Sequence, residues 1–226
     1  MAVRVLLFVF VITFSQSLAW AAEPTSVDVF IAGQDGYFAY RIPALLTTKP
    51  GTLLAFCEGR KTTLSDDGDN ECQLVETVAG NGSELLINMR NHWARSGKRP
   101  ELASRRLISR SRDDGITWTE PTRDEALIEP TCQASLIRYS WPTDSQRGTL
   151  LFANPDHPSK RKQLTVRVSH DEGRTWPTSK LIAPGPSGYC CLTSLKGGRI
   201  GLIYERDNYK RLTFVTFKLD WLMVMP

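Results

Sequence analysis

The chain has 226 residues, of which 41% are hydrophobic, and its 28 basic and 24 acidic side chains leave a net charge of +4. So balanced a charge, with basic runs such as Lys160-Arg161-Lys162 but no extended basic stripe, excludes a nucleic-acid binder working by phosphate attraction. Five cysteines give no readable disulfide framework, three histidines share no metal-ligand spacing, and neither metal nor cofactor is expected.

In chain order, residues 1–21 read first as a secretory signal peptide. Arg4 supplies a basic start, Val5–Phe14 is an apolar run too short to span a bilayer comfortably, and Ala19-Trp20-Ala21 offers a cleavage site. Cleavage would leave residues 22–226 as one exported domain, whether secreted, periplasmic or lumenal, with no membrane span. The length suffices for one sizeable core.

Helical periodicity is nearly absent from that domain, and a hairpin recurs instead. After a strand at Val27–Ile31, Ile42–Thr48 turns at Lys49-Pro50-Gly51 into Leu53–Cys57. Cys72–Val78 turns at Gly80-Asn81-Gly82 into Leu85–Met89, and Cys132–Tyr139 turns before Gly148 into Thr149–Phe152. Cys190–Leu195 turns at Lys196-Gly197-Gly198 into Ile200–Tyr204. Between copies, Ser111-Arg112-Asp113-Asp114-Gly115-Ile116-Thr117-Trp118 and Ser169-His170-Asp171-Glu172-Gly173-Arg174-Thr175-Trp176 share the pattern Ser-x-Asp-x-Gly-x-Thr-Trp. Ser and Asp oxygens suit turn N–H groups, Gly suits a positive φ, and Trp suits packing over a hairpin. A calcium-loop reading fails, because the segment is shorter than an EF-hand and has no terminal Glu. Inner hairpin followed by outer hairpin is the rhythm of an all-β propeller, which the strand at Val27–Ile31 would close beside Leu212–Leu219.

Polar residues gather at one end of these hairpins: Arg41, Glu58 and Arg60 on the first, Glu71 and Arg90 on the second, Arg161 after the third, Tyr189 and Glu205 on the fourth. One arginine at a strand end is ordinarily a solvated charge. Three at matching places in separate repeats are better explained by one shared anion, which planar guanidinium groups suit.

Several of these segments carry a resemblance. Tyr40-Arg41-Ile42-Pro43 is similar to the Phe/Tyr-Arg-Ile-Pro signature of the exo-α-sialidases, and Gly51–Arg60 looks like that family's next block. Asn70-Glu71-Cys72-Gln73, Asn88-Met89-Arg90-Asn91, Asn154-Pro155, Leu164-Thr165-Val166-Arg167, Pro184–Tyr189 and Tyr204-Glu205-Arg206 match in order, so the likeness covers nearly all of residues 22–226. It implies hydrolysis of terminal sialic acid from glycoproteins, glycolipids or oligosaccharides, with retention through a tyrosyl-enzyme intermediate. In this likeness Arg41, Arg90 and Arg161 match the triad gripping the sialic acid carboxylate, Lys160 and Lys162 being poorer forks than Arg161. Tyr189 matches the nucleophile, Glu71 its base in preference to Glu76, and Asp66 the acid/base in competition with Asp67 and Asp69. Glu205 matches a carboxylate that orients Arg41, and Arg60 a supporting residue that Glu58 could partner.

Sialidases of this type form a propeller of about six blades. This chain carries about three full blades plus a half, with Asp66 and Glu71 close together where blades intervene in the family, as an internal deletion would leave them. The resemblance therefore allows two alternatives to an active enzyme: a non-catalytic sialic-acid-binding protein, or an inactive truncated sialidase.

Overall fold

The computed structural model describes residues 25–47, 53–60, 71–80, 82–91, 104–113 and 116–224. Their strands are β1 (Thr25–Ile31), β2 (Ala39–Thr47), β3 (Leu53–Arg60), β4 (Cys72–Ala79), β5 (Gly82–Met89), β6 (Arg105–Ser111) and β7 (Thr122–Ile128). They continue with β8 (Ser135–Ser140), β9 (Thr149–Pro155), β10 (Lys162–Ser169), β11 (Thr178–Leu195), β12 (Arg199–Arg206) and β13 (Arg211–Lys218), before a short helix α1 (Leu219–Met223). The chain divides into two compact units, Met1–Ser65 with Tyr189–Pro226, and Asp66–Gly188. The proposed signal segment, residues 1–21, lies outside the described residues.

In the unit of Asp66–Gly188, β4-β5-β6-β7 form one antiparallel sheet, and β8, β9, β10 and the first part of β11 follow one another in a second. Alternation sets the core: Val75 and Leu86 from the first sheet meet Leu136, Leu150, Phe152 and Trp176 from the second. Charged groups tie the same sheets together. Glu172 accepts the Val78 N–H at 2.9 Å and the Arg138 guanidinium, while Arg138 also reaches the Glu76 carbonyl at 2.8 Å. Glu76, the rival to Glu71, thus lies within β4 rather than at its end.

The described parts of the two Ser-x-Asp-x-Gly-x-Thr-Trp turns, which leave out Asp114 and Gly115, are built as their composition demands. Asp171 Oδ1 accepts the Thr175 N–H at 2.9 Å and the Arg174 N–H at 3.2 Å, and Asp113 Oδ1 accepts the Thr117 N–H at 2.8 Å. Gly173 takes φ +73° and donates to Ser169 Oγ at 2.9 Å. The tryptophans differ. Trp176 is buried against Phe152 at 5.7 Å and its indole N–H donates to Asp124 of β7 at 3.2 Å, so it locks one sheet onto the other. Trp118 remains 38% exposed.

Two outcomes follow from these turns. A Cβ on Gly173 would sit 2.7 Å from Leu86 Cδ2 in the packed core, on a backbone that L side chains rarely adopt. Gly173→Ala is therefore expected to lower stability by about 1–3 kcal/mol in denaturant titration, and an unchanged midpoint would contradict this.

The second outcome concerns acid. The Thr117 hydroxyl and N–H, with Ser111, lower Asp113 to about 2. Burial pushes Asp171 and Glu172 upward, but hydrogen bonds from Thr175 to the first and from Arg138 to the second outweigh it and leave both below their ordinary values. Groups held low contribute stability above their unfolded pKa and lose it as pH falls through the folded value. Asp124, raised chiefly by burial, works in the opposite sense. The melting temperature should hold down to about pH 5 and fall between about pH 4 and pH 2; a flat profile there would oppose the assignment.

In the other unit, β2 and β3 form a hairpin, and β1, β13, β12 and the last part of β11 follow one another in a sheet. β1 pairs antiparallel with β13 from Thr25↔Thr216 to Ile31↔Arg211, so the strand expected at Val27–Ile31 does close this sheet. Phe30, Tyr40, Ile203, Leu212 and Phe214 form the core between hairpin and sheet.

Three boundaries differ from those the sequence suggests. The third hairpin starts at Ser135 rather than Cys132, because the Cys132 carbonyl accepts from Arg106 ahead of the strand. The fourth begins not at Cys190 but within one 18-residue strand, β11. The first extends to Arg60, where Ala39 faces it.

Candidate active site

Arg41, in β2, is 2% exposed and meets Glu205 at the end of β12. Arg41 Nε donates to Glu205 Oε1 at 2.9 Å and Nη2 to Oε2 at 3.4 Å. Glu205 Oε2 also accepts the backbone N–H of Tyr189 at 2.8 Å. The Tyr189 ring, fully buried, lies 4.7 Å from the Arg41 carbon, and the Tyr209 ring lies 4.5 Å from it. A guanidinium this buried would be unfavourable without a counter-charge. Burial works against its charge, but the ion pair and hydrogen bond with Glu205 outweigh it and hold Arg41 above its ordinary pKa, so the cation is permanent. The arrangement is a fixed positive centre against a phenol.

In the other unit, Glu71 precedes β4 and Arg90 follows β5. The Arg90 N–H donates to the Glu71 carbonyl at 3.0 Å, and Arg90 Nη1 donates to both Glu71 carboxylate oxygens at 2.7 and 2.6 Å. Arg161, ahead of β10, donates from Nη2 to the Thr131 carbonyl at 3.2 Å, and its own carbonyl accepts the Ser187 N–H at 2.9 Å. Thr131 Oγ1 donates in turn to the Asn91 carbonyl at 3.5 Å. Arg90 and Arg161 are thus at the same end of adjacent sheets, linked through Asn91 and Thr131.

Beneath this link lies a pair that sequence reasoning does not anticipate. Arg106, with no exposed surface, donates to Glu129 at 2.8 Å, to the Cys132 carbonyl at 2.7 Å and to Asn88 Oδ1 at 2.6 Å. Glu129 Oε1 accepts the Asn91 N–H at 2.6 Å. One buried ion pair thereby fixes the backbone beside both Arg90 and Arg161.

Of the residues proposed from sequence, Arg41, Tyr189 and Glu205 come together in one unit, and Glu71, Arg90 and Arg161 lie in the other. Asp66 falls outside the described residues, as do its rivals Asp67 and Asp69. Arg60 ends β3 opposite Ala39, but its side chain and that of Glu58 fall outside the described part. Among the described residues, no group of three His, Cys, Asp or Glu side chains could hold a metal ion. No helix among them is long and apolar enough to cross a membrane.

Comparison with known proteins gives this arrangement a family. The BNR repeat-like domain matches residues 31–202. The sialidase of Micromonospora viridifaciens is 38% identical over 150 residues, covering 65% of this chain and 22% of that relative. The sialidase of Bacteroides fragilis is 34% identical over 155 residues, covering 66% of this chain and 26% of that relative.

The chain belongs to the BNR-repeat sialidase family. Solved structures agree: a Hadza microbial sialidase superimposes with a TM-score of 0.52 at 33% identity, over 67% of this chain and 28% of the other. The fold extends to the intramolecular trans-sialidase of Ruminococcus gnavus, solved with oseltamivir carboxylate, with a TM-score of 0.57 at 22% identity over 77% of this chain and 37% of the other. In sialidase terms, β4–β7 and β8–β11 are two blades, β11-β12-β13-β1 is a third and β2–β3 a half, an incomplete propeller. The chain spans about a quarter of the length of these two curated sialidases.

Proposed function

We propose that this chain encodes the reaction of a retaining exo-α-sialidase, releasing terminal sialic acid from glycoproteins, glycolipids or oligosaccharides. The observation that carries the reading is the buried cluster in which Glu205 holds both Arg41 and the backbone of Tyr189, with Arg41 against the phenol ring. In this proposal the guanidinium groups of Arg41, Arg90 and Arg161 bind the substrate carboxylate. The Tyr189 oxygen bonds to the anomeric carbon as the leaving oxygen takes a proton from Asp66. Glu71 accepts the phenolic proton, since a free phenol with a pKa of about 10 is a weak nucleophile near neutrality. Water then attacks with Asp66 as base, and the Tyr189 oxygen leaves and recovers its proton from Glu71. Arg60 supports the site. Tyrosine suits a carbon that already carries a carboxylate, because a neutral phenol approaches it with less repulsion than a carboxylate would.

Removal of residues 1–21 on export would deliver the chain to such glycans outside the cytoplasm or in a lumen. Release of 4-methylumbelliferone from its α-sialoside, with α-sialic acid as the first product by NMR, is the expected result. A folded protein that releases none overturns the hydrolase reading. A second reading, binding without turnover, draws support from the engagement of Glu71 by Arg90, which occupies the proposed base. It predicts saturable sialic acid binding, lost in Arg161→Ala, with no hydrolysis.

A further inference from the structure

The turn from β12 to β13 carries the longest run of left-handed non-glycine residues among the described ones. Asp207, Asn208 and Tyr209 take φ of 53°, 55° and 68° in succession. Asp and Asn tolerate the left-handed region, but a bulky aromatic side chain there is an outlier that the surroundings must hold in place. A four-residue link between paired Arg206 and Arg211 would accept glycine at that point without strain. The turn is also anchored: Asp207 Oδ2 lies 3.3 Å from Arg206 Nε and 3.4 Å from Arg211 Nη1, and the Lys210 carbonyl accepts the Ala32 N–H at 2.7 Å. The strained residue has a destination, because the Tyr209 ring centre lies 4.5 Å from the Arg41 guanidinium carbon.

We propose that Tyr209 is a positioning residue that holds Arg41 in place as the receptor for a carboxylate ligand. The proposal deepens the sialidase reading and rests on it for the identity of that ligand. An arginine side chain loses much rotamer freedom when fixed, and an anion that must immobilise it binds more weakly for that reason. Here the immobilisation is complete before the ligand arrives. Glu205 takes Nε, the Tyr189 ring lies at 4.7 Å, and Tyr209 adds a second ring. The strained turn is what brings this ring to the guanidinium, since neither flanking residue supplies an aromatic face.

The contribution belongs to binding rather than to bond making, which sets the test. Wild type, Tyr209→Leu, Tyr209→Phe and Tyr209→Gly would be compared by calorimetry with 2-deoxy-2,3-didehydro-N-acetylneuraminic acid and by kinetics on the methylumbelliferyl sialoside. Tyr209→Leu should weaken affinity and raise KM roughly tenfold with kcat within about threefold, the pattern of lost uniform binding. Tyr209→Phe should rescue most of this, because the ring face is restored. Tyr209→Gly should keep or raise the melting temperature through relief of the turn, while affinity falls. Affinity for the glycal unchanged in Tyr209→Leu, or affinity and melting temperature falling together in Tyr209→Gly, would overturn the proposal. A readout independent of catalysis separates it from the sialidase reading: the Arg41 Nε–H signal in the 15N spectrum, assigned by its loss in Arg41→Lys. That signal should shift and exchange faster in Tyr209→Leu even if wild type neither binds nor hydrolyses sialosides, a result that would sink the sialidase reading alone. An unmoved signal would refute the positioning role.

Discussion

Tyr189→Phe is expected to reduce sialoside hydrolysis by at least about a thousandfold in kcat, as loss of a covalent nucleophile does, while leaving the fold and ligand binding intact. The separation follows from how Tyr189 is held. Its contact with Glu205 is made by the backbone N–H and its contact with Arg41 by the ring face, and phenylalanine supplies both. Only the hydroxyl is deleted, and with it the atom proposed to bond to the anomeric carbon. The variant should therefore melt within a few degrees of wild type and bind the glycal inhibitor with similar affinity, yet release no methylumbelliferone above background. Retained turnover would remove Tyr189 from the mechanism. Joint loss of turnover and folded structure would show instead that the hydroxyl has a packing role, and Tyr189→Phe would then be unable to support a nucleophile.

The features legible in the sequence are those that local chemistry decides. Gly173 needs a positive φ and Asp171 needs neighbouring N–H groups, so the turn can be read from a few adjacent residues. The pairing of β1 with β13 was accessible because alternating apolar runs at both ends of a repeat array have few other partners. What stayed hidden depends on register across distance. Pro184, Gly185 and Pro186 look like breakers, yet β11 runs through them, because the register with β10 shifts between Lys162↔Pro186 and Leu164↔Ala183 and a bulge tolerates proline. Trp176 was readable as a packing residue, but its bond to Asp124 of another sheet was not. Tyr209 carries no motif; three consecutive left-handed residues without a glycine are visible only in the backbone. Arg41 and Glu205 stood out through the resemblance, but their distances of 2.9 and 3.4 Å required the fold.

Arg106 is the plainest case of a residue that the sequence conceals, since its neighbour Arg105 has the same chemistry and points elsewhere, towards the Glu125 carbonyl. It also gives the largest expected effect on stability. Glu129→Ala would leave the Arg106 guanidinium buried without its counter-charge and the Asn91 N–H without its acceptor. Breaking one side of a buried pair costs about 3–5 kcal/mol, a large share of the roughly 5–15 kcal/mol that keeps a domain folded. In thermal denaturation this corresponds to a fall on the order of 10 °C. The double variant Arg106→Met/Glu129→Leu should recover most of that loss, since a well-packed apolar pair often replaces a buried ion pair at little cost. It should not recover sialic acid affinity. The Glu129 bond to Asn91, and the Arg106 bond to the Cys132 carbonyl next to Thr131, are what fix the backbone beside Arg90 and Arg161. A double variant that regains both stability and affinity would show that the ion pair contributes to folding only, and that Arg90 and Arg161 are set in place by some other means.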